Sequence, residues 1–181
     1  LTTGLVVERK PAEDNGVLGR VTFAPLKIEL FTDPHANVGR DRFTLAHELA
    51  HVLLGHGTYM RAESCDEGDF KLQSRSQRNG SDVSRMEYQA NYFAASLLMP
   101  IESFVTDFAW ELRRLNVTEK GQGPLYVDEQ VCNISTYMGV TSRLMKFYGV
   151  SRHAVSIRLE GLGLMRDVRR TSKPTGQRDD I

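Results

Sequence analysis

The residues best suited to chemistry lie in one short segment, HELAH, at positions 47–51. A step of four residues returns to nearly the same face of a helix, so His47 and His51 project together. Two imidazole nitrogens from one helix suit a tetrahedral Zn2+ site. Glu48 lies beside them and can accept a proton from an attacking water molecule. Three ionisable groups in an otherwise apolar helix would be costly as plain core residues, so the segment predicts a metal site.

A catalytic zinc ion needs a third protein ligand, and its position in the sequence separates the known arrangements. The metzincin arrangement would place a histidine six residues after the second one, but that position is Gly57, and His56 falls one residue early. The other common arrangement takes a glutamate from a following helix. Glu87 is the best candidate, because alanines on the same predicted helix would let it approach the first helix closely.

The third ligand has alternatives. Ser84 and Glu87 match a capping box, which would engage the carboxylate with backbone N–H groups, whereas an earlier helix start at Ser81-Asp82 leaves it free. Carboxylates of the preceding loop are rival ligands, although a loop holds ligand geometry less well than a helix does. These rivals are Glu63, Asp66, Glu67 and Asp69. We favour Glu87.

Four further residues are candidates for assisting the site. Asn91 lies one turn after Glu87 and is placed to orient a ligand histidine, and Thr44 shares the histidine face of its helix. Tyr88 or His153 would serve to stabilise the oxyanion of a tetrahedral intermediate. Spacing alone proves none of these roles.

The surrounding pattern predicts an α+β fold, in which a small N-terminal β-sheet packs on a mainly helical core. Alternating apolar residues predict strands within residues 1–31, at Leu5–Glu8, Gly19–Phe23 and Leu26–Phe31. Helical periodicity follows at about 40–55, 82–98 and 101–115, and the polar segment 61–82 predicts a flap loop between the ligand helices. Residues 1–128 are therefore interpreted as one metallopeptidase domain.

Residues 129–181 are interpreted as a C-terminal helical segment with a basic tail. Helical patterns at about 129–147 and 152–162 flank a break at Gly149, with Ser151 as an N-cap. A helix pair of this shape resembles a helix-turn-helix. Ordinary packing of the pair on the catalytic core is the favoured interpretation.

A nucleic-acid contact is the alternative for this part of the chain. Residues 139–181 carry nine Lys/Arg against four Asp/Glu, whereas the whole chain balances at 23 of each. In that alternative Arg152, His153 and Arg158 face the duplex, within a contact region of residues 141–173.

Composition sets the remaining limits. The chain has 181 residues, of which 40% are hydrophobic, enough for a core that needs neither a disulfide nor a metal to hold it. The two cysteines, Cys65 and Cys132, form no disulfide framework and suit a reducing compartment. The sequence contains neither a membrane-length apolar run nor a signal-peptide segment, so a cytoplasmic location without a membrane partner is expected.

Two blocks of the sequence carry a distinctive combination of motifs. Residues 42–51 read RFTLAHELAH, and residues 87–100 read EYQANYFAASLLMP. Both blocks, in this order and with the Leu-Leu-Met-Pro ending, resemble the ImmA/IrrE family of HExxH zinc metallopeptidases. The resemblance covers residues 40–100 closely and the C-terminal helical part more loosely. The length of the segment 61–82 departs from the family pattern.

The resemblance implies a gluzincin-like core with one zinc ion per chain, held by His47, His51 and Glu87, and Glu48 as the general base. It also implies a bacterial or phage-related cytoplasmic endopeptidase that cleaves a DNA-binding repressor or another regulatory protein in a stress or mobile-element switch. The alternative function is a DNA-binding transcriptional regulator in which the zinc site is structural or sensory. Glu48 favours the peptidase, because a structural zinc site needs no free glutamate beside its ligands.

Overall fold

The N-terminal part of the chain forms a mixed sheet of four strands. The computed structural model describes residues 4–13, 16–32, 38–66, 82–119 and 121–169. The strands are β1 (Val6–Pro11), β2 (Gly19–Phe23), β3 (Leu26–Thr32) and β4 (Ala62–Cys65), in the order β1-β3-β2-β4. β1 runs parallel to β3, while β2 is antiparallel to β3 and β4, with Gly19 opposite Cys65. β1 and β4 are therefore the two edge strands of this sheet.

Helices make up most of the remaining described chain. They are α1 (Val38–Leu53), α2 (Asp82–Leu98), α3 (Ile101–Arg114), α4 (Val131–Tyr148) and α5 (Arg152–Gly161). A short parallel pair, β5 (Leu125–Val127) and β6 (Met165–Asp167), lies apart from the main sheet. Within the described ranges, no helix combines the length and apolar character needed to cross a membrane. The predicted α+β class is confirmed.

The helix α1, which carries the motif, is covered on two sides. Its side chains Leu45, Leu49 and Val52 pack on the buried residues of the sheet. Phe43 and Ala46 belong instead to the larger core, which the other helices build. A helix with apolar residues on most faces is expected to be buried in this way.

The two C-terminal helices share this larger core with α1 and α2, so one core crosses the division predicted at residue 128. The turn between α4 and α5 also packs on the start of α1. An added Cβ at Gly39 would come within 2.6 Å of the Val150 backbone. Arg42 Nη1 donates hydrogen bonds to the carbonyl oxygens of Tyr148 and Gly149, at 2.9 and 3.1 Å. These bonds satisfy backbone groups at the end of α4.

Three short strands differ from the sequence-based prediction. Ala62–Cys65, which we assigned to the flap loop, form β4, because pairing with β2 decides the structure of a segment that lacks an apolar pattern. β5 and β6 fall in residues predicted to be irregular and to be tail. The rest of the predicted flap, residues 67–81, lies outside the described residues, and so do the rival ligands Glu67 and Asp69.

Glu29 lies among three cationic side chains on the sheet. Its carboxylate contacts Lys10 and lies 2.8 Å from Lys27 Nζ and 3.8 Å from Arg20 Nη1. Hydrogen bonds from Lys10 and Lys27 lower the pKa of Glu29 from 4.5 to about 2, against the effect of burial. The ionised carboxylate therefore stabilises the fold above the unfolded-state pKa, and this contribution is lost as the pH falls from 4.5 towards 2.

We expect Glu29→Gln to lower the free energy of unfolding by about 1–2 kcal/mol at neutral pH. Urea unfolding measures the loss, and the difference from the wild type should shrink as the solution is acidified. Glu8→Gln is the matched control, because Glu8 also pairs with Lys27, at 2.9 Å, but its side chain is 45% exposed. Equal effects of the two substitutions would contradict this account.

Candidate metal centre

α1 directs its two motif histidines to one point. His47 and His51 are fully buried, and their Nε2 atoms lie 3.1 Å apart. The ring centroids are 4.8 Å apart and the planes are inclined at 60°, so the rings converge rather than stack. The helical step of four residues accounts for this convergence.

α2 brings a carboxylate to the same point. Glu87 Oε2 lies 3.1 Å from His47 Nε2, and Glu87 Oε1 lies 3.4 Å from His51 Nε2. Ala90 and Ala94 of α2 are fully buried, and their small side chains permit α2 to pack closely along α1. Two adjacent helices therefore supply three donor groups.

The structure separates Glu87 from its rivals. α2 begins at Asp82, so Ser84 lies inside the helix and is not its N-cap. His47, His51 and Glu87, here called the triad, have ligand atoms within 4.8 Å of one another. Of the loop rivals that lie in described residues, neither Glu63 nor Asp66 belongs to this group. The triad is the set of ligands that the sequence predicted.

The triad fits a bound cation better than a hydrogen-bonded cluster. Its N···N and N···O distances of 3.1–3.4 Å are close to the ligand–ligand spacing of about 3.3 Å expected around tetrahedral zinc. Both Glu87 oxygens are buried, and each faces the Nε2 atom of one histidine. A buried carboxylate is costly unless its charge is compensated, and a cation would compensate it. Two imidazoles and one carboxylate are also a donor set of catalytic zinc sites.

Protonation of the triad couples metal binding to pH. Burial, and next the charge of His47, lower the pKa of His51 to about 4, so its imidazole is neutral at neutral pH. Burial acts to lower the pKa of His47, but the carboxylates of Glu87 and Glu48 raise it overall. Burial acts to raise the pKa of Glu87, but contact with His47 lowers it overall. The raised pKa of His47 means that its imidazole holds a proton more tightly than a free imidazole does, and a metal must displace that proton, so metal affinity should rise with pH.

Asn91 of α2 contacts His47, the candidate ligand in the middle of α1. The Asn91 Oδ1 atom lies 3.0 Å from His47 Nδ1, and both side chains are buried. A hydrogen on Nδ1 leaves Nε2 available to a metal, so this contact selects the ligand tautomer. The Thr44 hydroxyl donates to the carbonyl of Arg40 one turn earlier in α1, at 3.1 Å, and its role beside the ligands stays a prediction.

Glu48 is fully buried against β2 and β4. A Cβ added to Gly19 would lie 2.7 Å from Glu48 Oε1, and the Cys65 thiol lies beside the same carboxylate. Burial raises the pKa of Glu48 to about 7, although the charge of His47 and the Cys65 thiol act to lower it. Glu48 does not belong to the triad, and the Cys65 thiol is the side-chain partner that lowers its pKa. A buried carboxylate with a near-neutral pKa beside candidate metal ligands has the properties of a general base.

We expect Gly19→Ala to impair catalysis without removing the metal. The new methyl group would meet Thr44 Cγ2 at 2.6 Å and Glu48 Oε1 at 2.7 Å, so the strand or the carboxylate must move. A displacement of about 1 Å can lower activity about 10²-fold. Peptidase assays and zinc analysis check this, with Gly161→Ala as the control because an added Cβ there meets nothing within 4 Å. Full activity in Gly19→Ala would mean that Glu48 tolerates displacement.

The two oxyanion candidates lie on exposed parts of the helices. Tyr88 is 48% exposed, and its ring stacks on Tyr92 with centroids 6.4 Å apart, although it directly follows Glu87. His153 lies in the first turn of α5, which packs on α2, α4 and β6. The oxyanion role of both residues stays a prediction.

His56 is a residue of the site that the sequence did not reveal. Its ring is buried, with Nδ1 lying 3.0 Å from His51 Nδ1 and Nε2 lying 3.2 Å from Gln89 Oε1. Its spacing from the HExxH motif excluded it as a metzincin ligand. The same spacing places His56 just beyond the end of α1, close to His51. This position is the sequence signal from which the contact with His51 could have been predicted.

The fold and the site together are those of a metallopeptidase-type protein, in which two helices offer three candidate metal ligands beside a separate buried glutamate. The family model of the M78 peptidases, described as the IrrE N-terminal-like domain, matches residues 2–160. The chain therefore belongs to this family, which confirms the resemblance found in the sequence. A comparison with curated proteins found no match.

Proposed function

We propose that the protein is a zinc-dependent endopeptidase that cleaves a DNA-binding repressor or another regulatory protein. The observation that carries this proposal is the triad beside a separate buried carboxylate, Glu48, which is not one of the three candidate ligands and whose pKa burial raises to about 7. A structural zinc site usually has a fourth protein ligand and needs no such base. Membership of a peptidase family supports the same chemistry.

Peptide hydrolysis needs a base for the water and an acid for the leaving amine. A zinc ion held by His47, His51 and Glu87 supplies an electrophile that polarises the scissile carbonyl and makes water more acidic. Glu48 accepts a proton from the water as its oxygen forms a bond to the carbonyl carbon. Glu48 then delivers that proton to the amide nitrogen as the C–N bond breaks, and so returns to its carboxylate form.

The choice of a regulatory protein as substrate rests on the resemblance to the ImmA/IrrE family. A reducing, cytoplasmic setting suits this role, because Cys65 and Cys132 form no disulfide: Cys65 is buried next to the proposed base, and Cys132 is exposed.

The test is a cleavage assay with the zinc-loaded full chain and purified repressors encoded beside its gene. Mass spectrometry of the fragments identifies the cleaved bond, and Glu48→Gln protein serves as the matched inactive control. We expect cleavage at a defined bond that stops when a chelator removes the zinc. Equal cleavage by the Glu48→Gln protein would point to a contaminating protease and count against the proposal.

We expect sequence-specific DNA binding by the C-terminal helices to be absent or weak. Arg152 donates to Thr141 Oγ1 and Ser142 Oγ at 2.9 and 2.7 Å, and Arg158, which is buried, donates to the Met99 carbonyl at 3.0 Å. Arginines bonded within the fold are poorly placed to read base edges. Any retention on DNA should be independent of sequence and fall steeply with salt. A footprint at a defined site that Arg152→Ala abolishes would favour the transcriptional regulator instead.

A further inference from the structure

The ring of His56 bridges a metal ligand and the surface of α2. Its side chain is 3% exposed, with one nitrogen facing His51 Nδ1 at 3.0 Å and the other facing Gln89 Oε1 at 3.2 Å. The rings of His51 and His56 meet edge to face, with centroids 4.9 Å apart and planes at 75°. This geometry directs a nitrogen of one ring at a nitrogen of the other.

We propose that His56 is a positioning residue of the metal centre. Its Nδ1 atom accepts a hydrogen bond from the Nδ1–H of His51 and so holds His51 Nε2 towards the metal. His56 in turn donates its Nε2–H to Gln89. The inference rests on the proposed zinc site, but not on the identity of the substrate.

Hydrogen positions follow from this arrangement without ambiguity once a metal is bound. A metal on His51 Nε2 requires the hydrogen to be on Nδ1, which then faces His56 Nδ1. That nitrogen must be an acceptor, so the hydrogen of neutral His56 lies on Nε2, where Gln89 Oε1 accepts it. Each ring nitrogen in the series of hydrogen bonds from His51 through His56 to Gln89 is thus either a donor or an acceptor.

The same logic applies to the other ligand histidine. His47 Nδ1 faces Asn91 Oδ1 at 3.0 Å, so each histidine of the triad has its own acceptor on the side away from the metal. Acceptors of this kind fix the tautomer and orientation of ligand histidines in metal sites. Asn91 reaches His47 from α2, whereas His56 reaches His51 from the turn after α1.

The backbone holds His56 in this position. Gly55 adopts a left-handed conformation with φ 73° and ψ 24°, which ends α1 and turns the chain back into a short 3-10 helix, His56–Thr58. The carbonyl of His56 accepts hydrogen bonds from the backbone N–H groups of Tyr59 and Met60, at 2.8 and 3.2 Å. Gly57 is packed so closely on the Phe23 ring that an added Cβ would lie 2.5 Å from it. The turn is therefore anchored to the sheet.

A structural histidine contributes to the stability of the fold with or without a metal, whereas a positioning histidine contributes mainly to the affinity for the metal. In the metal-free protein His51 can take either tautomer, so loss of its acceptor costs little. With a metal on Nε2, the Nδ1–H is fixed and buried, and without an acceptor it is unsatisfied. Loss of His56 should therefore weaken metal binding much more than it weakens the metal-free fold.

The experiment compares two substitutions in the full chain. His56→Phe keeps a buried ring but removes the acceptor, whereas His56→Asn places an amide oxygen near the position of Nδ1. Chelator competition measures the zinc dissociation constant, and thermal unfolding of the metal-free proteins measures the fold. We expect about 10–100-fold weaker zinc binding in His56→Phe, less than about threefold change in His56→Asn, and similar metal-free melting temperatures. Zinc binding at wild-type affinity in His56→Phe, or equal weakening in both variants, would overturn the inference.

A second measurement applies if His56→Phe does not fold. In the zinc-loaded wild type, 15N NMR should show scalar coupling between His51 Nδ1 and His56 Nδ1 across the N–H···N hydrogen bond, with the hydrogen on His51. Absence of this coupling would overturn the inference. A protein that binds zinc and shows the coupling but cleaves no repressor would refute only the proposed peptidase function.

Discussion

Replacing Glu48 with glutamine should abolish peptidase activity while the protein keeps its zinc. His47 and His51 direct their Nε2 atoms at Glu87. Glu48, which lies between them in the sequence, packs instead against the sheet beside Gly19. Glutamine has nearly the same shape, so the ligands and their packing should survive. It cannot accept a proton from water, however, and the loss of general-base catalysis costs about 10²–10⁴-fold in rate. An effect of this size exceeds what altered substrate binding would cause.

Three measurements on the wild type and Glu48→Gln decide this prediction: zinc content, melting temperature and cleavage of a repressor. Glu63→Gln is the matched control, because Glu63 lies on β4 and its charge raises the pKa of Glu48 without membership of the triad. The control should retain most of the activity. Equal activity of the wild type and Glu48→Gln would mean that the site is structural or regulatory.

Replacing Glu87 with alanine should weaken zinc binding by at least about an order of magnitude. Its carboxylate lies within 3.4 Å of both histidine nitrogens, and it supplies the one negative charge among the three ligands. Without it, two neutral imidazoles on one helix must hold the ion alone. Isothermal titration or chelator competition with zinc measures the change.

Matched substitutions locate the ligand if Glu87 is not it. Glu63→Ala and Asp66→Ala remove the described carboxylates that competed with Glu87 in the sequence, and both should bind zinc normally. Retention of full zinc affinity in Glu87→Ala, with loss in Glu67→Ala or Asp69→Ala, would move the third ligand into the segment before α2. The metal-free melting temperature of each variant separates loss of a ligand from loss of the fold.

The sequence predicted those parts of the site that depend on one helix at a time. Helical spacing alone directs His47 and His51 to one side, and the apolar helix that follows supplies Glu87. The structure places these three residues together. Helical spacing also indicated Asn91, because it lies one turn after Glu87 on the same predicted helix.

Features that depend on tertiary contacts were not predictable in this way. Gly19 and Cys65 lie in strands far from the motif in sequence, and only their pairing brings both to Glu48. His56 contacts His51 because the left-handed Gly55 turns the chain back after α1. Arg158 reads as a solvent-facing cation in a helix-turn-helix pattern, but it is buried and bonded to the Met99 carbonyl. No local pattern distinguishes these cases.

The direct packing of α1 on α2 has a consequence for how substitutions would act on the site. Ala90 and Ala94 are fully buried in α2, and their small side chains permit the close approach of the two helices. A larger side chain at either position would move Glu87 away from His47 and His51 together, because α2 carries Glu87 and α1 carries both histidines. The alignment of the triad is thus a property of one helix–helix contact.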